Sequence, residues 1–407
     1  MPLLLAQVVV IVGAARLAGR ALRAVGQPRV IGEMAAGILL GPSVLGWLAP
    51  SVSAALFPPG SLGAIEALSQ VGLLFFMFLV GLDIDVAHLR AHGDTAVVAS
   101  HASIMAPFLL GTALALPLYG RLAPPGVSFT GFALFLGAAM SVTAFPVLAR
   151  ILAERRLTAT PLGTLAIACA AVDDVSAWCI LAAVVAIVRA GNAQTPLWIV
   201  LAGSAGYVAL MLTAGRAGLA RLAARASGRS VDLVALVVLA VLGSAWITER
   251  LGIHALFGAF LVGVVMPRDP RVVRVLSGRL EDVVVVLLLP LFFAVTGLRT
   301  RIGLLDGTAL WVTCGLVIAV AVTGKLGGTA IAGRLSGLAW GEALALGTLM
   351  NTRGLMELVI LNVGLDIGVI SPPLFAMMVL MALTTTVMTT PVLAWLQPAA
   401  SAMARER

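Results

Sequence analysis

Charge is the scarcest property of this chain. Of its 407 residues only 11% are Asp, Glu, Lys or Arg, against roughly 25% in soluble domains. So few charges cannot cover a water-facing surface, which excludes a soluble globular fold. Cysteine occurs three times, at Cys169, Cys179 and Cys314. All three sit inside apolar stretches without metal-ligand spacing, so they are expected to be small core residues and not a metal centre or a disulfide framework. Lysine occurs once, at Lys325, so arginine supplies the other 25 of 26 basic residues and the formal charge of +8. In an apolar chain such an excess orients the protein across a bilayer and does not indicate nucleic-acid binding.

What is present is apolar: 61% of residues are hydrophobic and the mean hydropathy is +1.10. The expected fold class is an all-α polytopic membrane protein. Arg, Pro and Gly clusters divide the chain into thirteen candidate spans, at 2–21, 29–48, 62–82, 95–118, 128–152, 160–189, 195–215, 231–248, 252–267, 282–298, 308–333, 341–364 and 372–397. Each approaches the roughly 20 residues that a crossing helix needs. The N-terminus is apolar from residue 2 with arginines only afterwards, the reverse of a signal peptide, and is expected to be the first span. No hydrophilic domain is expected before or after the spans. With the N-terminus outside, nineteen arginines fall on inward loops and at the C-terminus. Five fall outside, at Arg121, Arg189, Arg250, Arg299 and Arg301. This positive-inside bias favours an odd number of spans, N-out and C-in.

The chain also repeats itself weakly. Leu74-Phe75-Phe76 with Val80-Gly81-Leu82 in span 3 echoes Leu291-Phe292-Phe293 with Val295-Thr296-Gly297-Leu298 in span 10. Gly32 to Pro42 in span 2 is answered by Gly258 to Pro267 in span 9. Both matches lie seven spans apart, and an odd offset turns the second copy upside down, the inverted-topology repeat of many transporters. The same offset pairs span 5 with span 12. Span 5 carries Ser141-Val142-Thr143-Ala144-Phe145-Pro146, and span 12 carries Asn351-Thr352-Arg353-Gly354 with Glu357. Proline, glycine and polar residues at membrane depth predict helix breaks near Thr143–Pro146 and Asn351–Gly354, where exposed helix ends can face a cation. Arg353 and Glu357, at i and i+4, can pair on one face and support the broken helix.

Asp173 and Asp174 lie deep inside span 6, with apolar sequence on both sides. A carboxylate at that depth costs about 2.5–3.5 kcal/mol on insertion scales and marks an ion or proton pathway. On a helix the two point about 100° apart, so one can face a cavity and the other a neighbouring helix. Lys325, inside span 11, needs an anionic partner, and one of these aspartates is on offer. His88 and His92 fall in the loop after span 3. His101 and His254 fall near helix ends, at interfacial positions.

These residues resemble the bacterial monovalent cation:proton antiporters, in the branch holding the thirteen-helix sodium/proton antiporters and the Kef-type potassium efflux proteins. The resemblance runs over nearly the whole chain. It rests on Gly32-Glu33-Met34 through Gly41-Pro42, Phe78-Leu79-Val80-Gly81-Leu82-Asp83, Ser141 through Leu148, Asp173-Asp174 and Asn351-Thr352-Arg353-Gly354. It implies two unwound crossing helices, spans 5 and 12, in a core that moves against a dimerising scaffold. The implied division is scaffold at 1–94 and 231–301, core at 95–192 and 302–397, a linker helix at 193–230 and a cytoplasmic tail at 398–407. It further implies Asp174 as main ion ligand, Asp173 paired with Lys325, and an oxygen lent by Thr143. Ser141, Pro146, Asn351, Thr352, Arg353 and Glu357 support the unwound stretches. The partners expected are a monovalent cation, H⁺, membrane lipid and a second copy of the chain, with no cofactor and no nucleic acid. The expected location is the inner membrane of a bacterium.

The resulting expectation is a secondary antiporter that exchanges Na⁺, Li⁺ or K⁺ for H⁺ and is not an enzyme. Two like charges about 5 Å apart at an effective dielectric near 20 repel by about 3 kcal/mol, so protons and cations compete for the pair. If Na⁺ entry opens the Asp173–Lys325 pair, two protons leave per cation and exchange is electrogenic; if the pair stays locked, only Asp174 cycles. A K⁺/H⁺ exchanger regulated by a separate subunit is the alternative, although the nucleotide-binding domain of the Kef type is not found in the sequence. An intramembrane aspartyl peptidase is a further rival, but such enzymes place their aspartates on different helices, with a Gly-x-Gly-Asp run absent here.

Overall fold

The computed structural model describes residues 1–83, 94–155, 157–158, 160–192, 197–226, 230–252 and 254–396, and among these every regular element is helical. The first half contains α1 (Pro2–Ala24), α2 (Arg29–Leu40), α3 (Leu62–Asp83), α4 (Asp94–Leu122), α5 (Phe129–Ser141), α6 (Phe145–Glu154), α7 (Pro161–Asn192), α8 (Leu197–Leu210) and α9 (Arg216–Ala226). The second half contains α10 (Ser230–Arg250), α11 (Ala255–Val265), α12 (Pro270–Val283), α13 (Leu289–Arg299), α14 (Thr308–Val322), α15 (Gly328–Leu335), α16 (Trp340–Met350), α17 (Leu355–Asp366) and α18 (Pro372–Leu396). Nine helical stretches among the described residues are long and apolar enough to cross a membrane, and α16 with α17 forms a further candidate bent by 45°. α5 and α11 are shorter apolar helices.

Two of the expected spans are broken near their centres. α5 stops at Ser141, Val142 to Ala144 are not helical, and α6 starts at Phe145. Pro146 therefore occupies the second position of a new helix, where its missing N–H has no intrahelical bond to lose. The other break spans Asn351 to Gly354 between α16 and α17. Gly354 has φ 155°, a conformation that side-chain-bearing residues rarely adopt.

Two helices run well past the sequence expectation: span 7, expected at 195–215, continues helically to Ala226, and span 10 starts early. Span 10 was expected from residue 282, yet helix begins at Pro270 and runs through a wider π-type turn at Val284–Leu288 into α13. The added part is polar: Arg271, Arg274, Arg279 and Glu281 interrupt its apolar residues, so a hydropathy window ends before it. Asp269 caps it by accepting the Arg271 N–H at 2.8 Å.

Packing gathers the helices into two groups. α1, α2, α3, α10, α11 and α13 lie against one another, and so do α4 to α7 with α14 to α18. In the first group α2 meets α13 at Gly37 and Gly297 so closely that a Cβ on Gly297 would lie 1.9 Å from the Gly37 carbonyl carbon. α3 meets α11 at Gly81 and Gly263 in the same manner. Small residues that let backbones touch replace the hydrophobic effect as the source of packing in lipid. Six of the seven tryptophans, Trp47, Trp198, Trp246, Trp311, Trp340 and Trp395, are exposed. They sit at or near the ends of helical stretches, where the amphipathic indole suits a membrane–water interface. The seventh, Trp178, is buried on α7 against Phe257 and Phe260 of α11.

Candidate functional site

α7 passes through the second group, packed on α4, α5, α6 and α16. Its Asp173 and Asp174 are 0% and 1% exposed, and adjacency on a helix sends the two carboxylates into different surroundings. Asp173 faces donors. Its Oδ1 accepts the Ser100 hydroxyl at 2.7 Å, and its Oδ2 accepts from the hydroxyls of Ser103 and Thr143 and from Lys325 Nζ, the last two at 2.8 Å. Ser100 and Ser103 are three residues apart on α4 and so share a face. Asp174 is the opposite case. Both its oxygens are buried and have no hydrogen-bond partner among the described residues.

Lys325 sits in a π-type turn at Thr323–Gly327 between α14 and α15, a local widening often found at functional sites. Its ammonium reaches Asp173, the Ser141 carbonyl and, at 3.4 Å, the Ser103 hydroxyl. Three donors thereby meet three acceptors.

The Ser141 carbonyl belongs to the broken end of α5. A helix C-terminus leaves its last carbonyls unpaired and carries partial negative charge, and burying it in lipid requires donors. Lys325 supplies one. Arg353, from the other break, supplies two more, to the carbonyls of Ala139 at 3.1 Å and of Met140. Arg353 also pairs with Glu357 at 2.7 Å, and neither is more than 1% exposed. Thr386 of α18 fixes the Arg353 backbone, accepting its N–H at 3.1 Å and lying 2.6 Å from its carbonyl oxygen.

The two breaks touch directly. Ala144 N–H donates to the Thr352 carbonyl at 2.9 Å, and the Thr143 hydroxyl lies 3.1 Å from the Met350 carbonyl. The Asn351 side chain donates weakly to Met388 Sδ at 3.9 Å. Its Oδ1 and the Thr352 hydroxyl are buried without partners among the described residues. Ser141 Oγ ties α5 to α4 through the Ile104 carbonyl at 3.0 Å. The structure thus gathers Asp173, Thr143, Ser141 and Lys325 in one network and Arg353 and Glu357 in a second, and gives Asp174 no hydrogen-bond partner among the described residues. Among the described residues no group of three or more His, Cys, Asp and Glu gathers as a metal cluster.

An inward-facing carboxylate pair on one helix, flanked by two broken helices in contact, is the arrangement against which known proteins can be compared. A family profile described as "Sodium/hydrogen exchanger, transmembrane" matches residues 8–396. The chain belongs to the sodium/hydrogen exchanger family. Within it, the chain is 45% identical over 405 residues to the Na(+)/H(+) antiporter NhaS4 of Synechocystis sp., covering 98% of both chains. It is 42% identical to Cation/H(+) antiporter 17 of Arabidopsis thaliana and 34% identical to K(+)/H(+) antiporter 1 of Saccharomyces cerevisiae, spanning 49% and 42% of those longer proteins. The fold is that of the sodium proton antiporter MjNhaP1 from Methanocaldococcus jannaschii, with a TM-score of 0.64 at 14% identity over 96% of this chain. The all-helical fold with crossing broken helices and the place in a cation/proton antiporter family agree with the resemblance drawn from the sequence motifs.

In this exchanger-family chain, Ser100, Ser103 and Thr386 are site residues that the sequence does not mark. Serine and threonine inside apolar helices are common packing residues, so nothing in their spacing marks them until the helices are brought together. Cys179 is exposed on α7, whereas Cys169 and Cys314 are buried. His101 is exposed, and His254 caps α11 by accepting the Leu256 N–H at Nδ1. His88 and His92 lie outside the described residues.

Proposed function

We propose that this integral membrane protein exchanges Na⁺ for H⁺ at Asp174. The observation that carries the reading is the contrast between two adjacent buried carboxylates, one with four donors and one with none among the described residues. A buried carboxylate without partners must hold either a proton or a cation, since leaving it charged and bare in low dielectric is costly. That either-or is the physical basis of exchange: cation entry displaces the proton, and proton return displaces the cation. Thr143 stands beside the pair at the first break and supplies an oxygen to the cation together with Asp173. Lys325 balances Asp173, while Arg353 and Glu357 hold the crossing breaks. The first break reaches Asp173 through Thr143 and is bonded to the second, which supports exit of the ion past the broken helices toward either face.

In this reading α4 to α7 and α14 to α18 form the moving core, and α1 to α3 with α10, α11 and α13 form a scaffold through which two copies dimerise. The arginine distribution supports thirteen crossings with the N-terminus outside and the C-terminus inside, and the membrane in this reading is the inner membrane of a bacterium. Support for Na⁺ comes from the Synechocystis relative's name. The yeast relative, named for K⁺/H⁺ exchange, supports K⁺ as the second reading. Transport is favoured over intramembrane peptide hydrolysis by the antiporter names of the relatives and by the two aspartates sharing one helix. The test is dequenching of a pH dye in proteoliposomes on adding Li⁺, Na⁺ or K⁺. Cation-driven proton movement supports exchange, and its absence for all three cations contradicts it.

A further inference from the structure

Beyond the site, α17 runs on until it faces α13 of the other helix group. Two short stripes meet there: Asn362 and Asp366, four residues apart on α17, and Thr296 and Arg299 on α13. Asn362, only 4% exposed, donates through Nδ2 to the Thr296 hydroxyl at 2.8 Å and accepts at Oδ1 from Arg299 Nη1 at 3.2 Å. The same Nη1 lies 2.6 Å from Asp366 Oδ1. On its other side Arg299 Nη2 is 3.6 Å from Glu66 Oε1 of α3. A cavity of about 550 Å³ adjoins the cluster, lined by Glu66, Arg299, Leu365 and Pro372 among others, so the two stripes have room to separate. Elsewhere among the described residues the two groups meet largely through apolar surfaces such as Trp178 on Phe257 and Phe260, which can slide without breaking a directional bond, and through one exposed bond from Gln27 Nε2 to the Val387 carbonyl at 3.2 Å.

We propose that Thr296, Arg299, Asn362 and Asp366 form a latch between the two helix groups, closed in this structure, that opens each time the site turns to the other face. The inference rests on the alternating exchange proposed above. Three polar contacts confined to one end of α17 have two discrete states, made or unmade, as a switching interface requires. Glu66 gives Arg299 a partner that stays on the scaffold. When Asp366 moves away the guanidinium remains paired, so opening does not strand a half-buried charge. Arg299 is thus shared between an acid that moves and an acid that does not.

The test links the latch shut. Thr296→Cys with Asn362→Cys is made in a chain whose three native cysteines are replaced by serine, reconstituted, and bridged with a short bifunctional thiosulfonate reagent. Linking is expected to stop Na⁺-driven proton flux, and a reductant to restore it. Flux that continues unchanged in the linked protein would overturn the latch. A second arm needs no transport and covers the case in which the double variant fails to fold. Val295→Cys, a buried position lining the cavity, is labelled with a water-soluble maleimide and followed by mass spectrometry, with and without Arg299→Gln. Labelling is expected to be about tenfold faster with Arg299→Gln, the factor brought by losing one hydrogen bond to a charged group; equal rates would overturn the proposal. Absence of cation-driven flux in the unmutated chain would refute the exchange reading itself, while the labelling arm would still decide the latch.

Discussion

Ala144 and Thr352 are joined by a backbone hydrogen bond of 2.9 Å, and through it the unwound centre of one broken helix is fastened to that of the other. The bond gives each break a partner in place of the water that lipid denies it. It also makes the two breaks one mechanical unit beside Asp173 and Asp174.

Gly354 is expected to be irreplaceable in that unit. Its φ of 155° already disfavours a side chain, and a Cβ there would lie 3.0 Å from Val147 Cγ2. Gly354→Ala should lower stability by about 1–3 kcal/mol, the usual strain of a residue forced into such a region. The thermal midpoint of the detergent-purified protein measures it, and an unchanged midpoint would contradict the assignment.

Arg353 is expected to matter through its geometry as well as its charge. Its guanidinium serves the carbonyls of Ala139 and Met140 and the carboxylate of Glu357 together, a fork that an ammonium cannot reproduce. Arg353→Ala leaves Glu357 buried and unpaired and should cost about 3–5 kcal/mol. Arg353→Lys should fall between that variant and the wild type in thermal stability. A lysine variant as stable as wild type would show that charge alone suffices.

Ser100 and Ser103 hold Asp173 from α4, and each donates to a charged carboxylate. Ser100→Ala and Ser103→Ala should each destabilise by about 1.5–3 kcal/mol, and the two effects should not add, because both act on one carboxylate. A double-mutant cycle on thermal stability, combined with Asp173→Asn, checks this. Serine deletions that cost as much without the Asp173 carboxylate as with it would place their role elsewhere.

How far the sequence announces this architecture varies with the residue. Asp173, Asp174 and Lys325 stand out because charge inside apolar spans is rare. The breaks stand out because Pro146 and Gly354 sit where a span should be unbroken. The polar helix α12 is less legible, since hydropathy sees only the apolar part of a continuous helix. Ser100 and Ser103 are illegible, because a hydroxyl becomes a ligand of Asp173 only when α4 is placed beside α7. The reach of Arg353 is also hidden: its pairing with Glu357 is local and readable at i, i+4, whereas its capping of α5 depends on how the two halves of the chain cross.

Stoichiometry follows from whether the Asp173–Lys325 pair, 2.8 Å apart here, opens during the cycle. If it does, two protons leave per cation, net charge moves, and each charge couples to membrane potential by about 2.3 kcal/mol per 100 mV. Current on a solid-supported membrane under a Na⁺ gradient is then expected from the wild type and should fall in Asp173→Asn. Electrical silence from a wild type that still exchanges ions would mean the pair stays closed and one proton leaves per cation.

The central claim is that Asp174, buried and without a hydrogen-bond partner among the described residues, is the group at which cation and proton exchange. Its most direct test is Na⁺-driven proton flux in proteoliposomes of wild type and Asp174→Asn, each first shown to be folded and inserted by its thermal midpoint. The account predicts dequenching of the pH dye on Na⁺ addition for the wild type and none for Asp174→Asn, whose amide cannot hold a proton and release it to a cation. Cation-dependent flux of wild-type size in Asp174→Asn would contradict it.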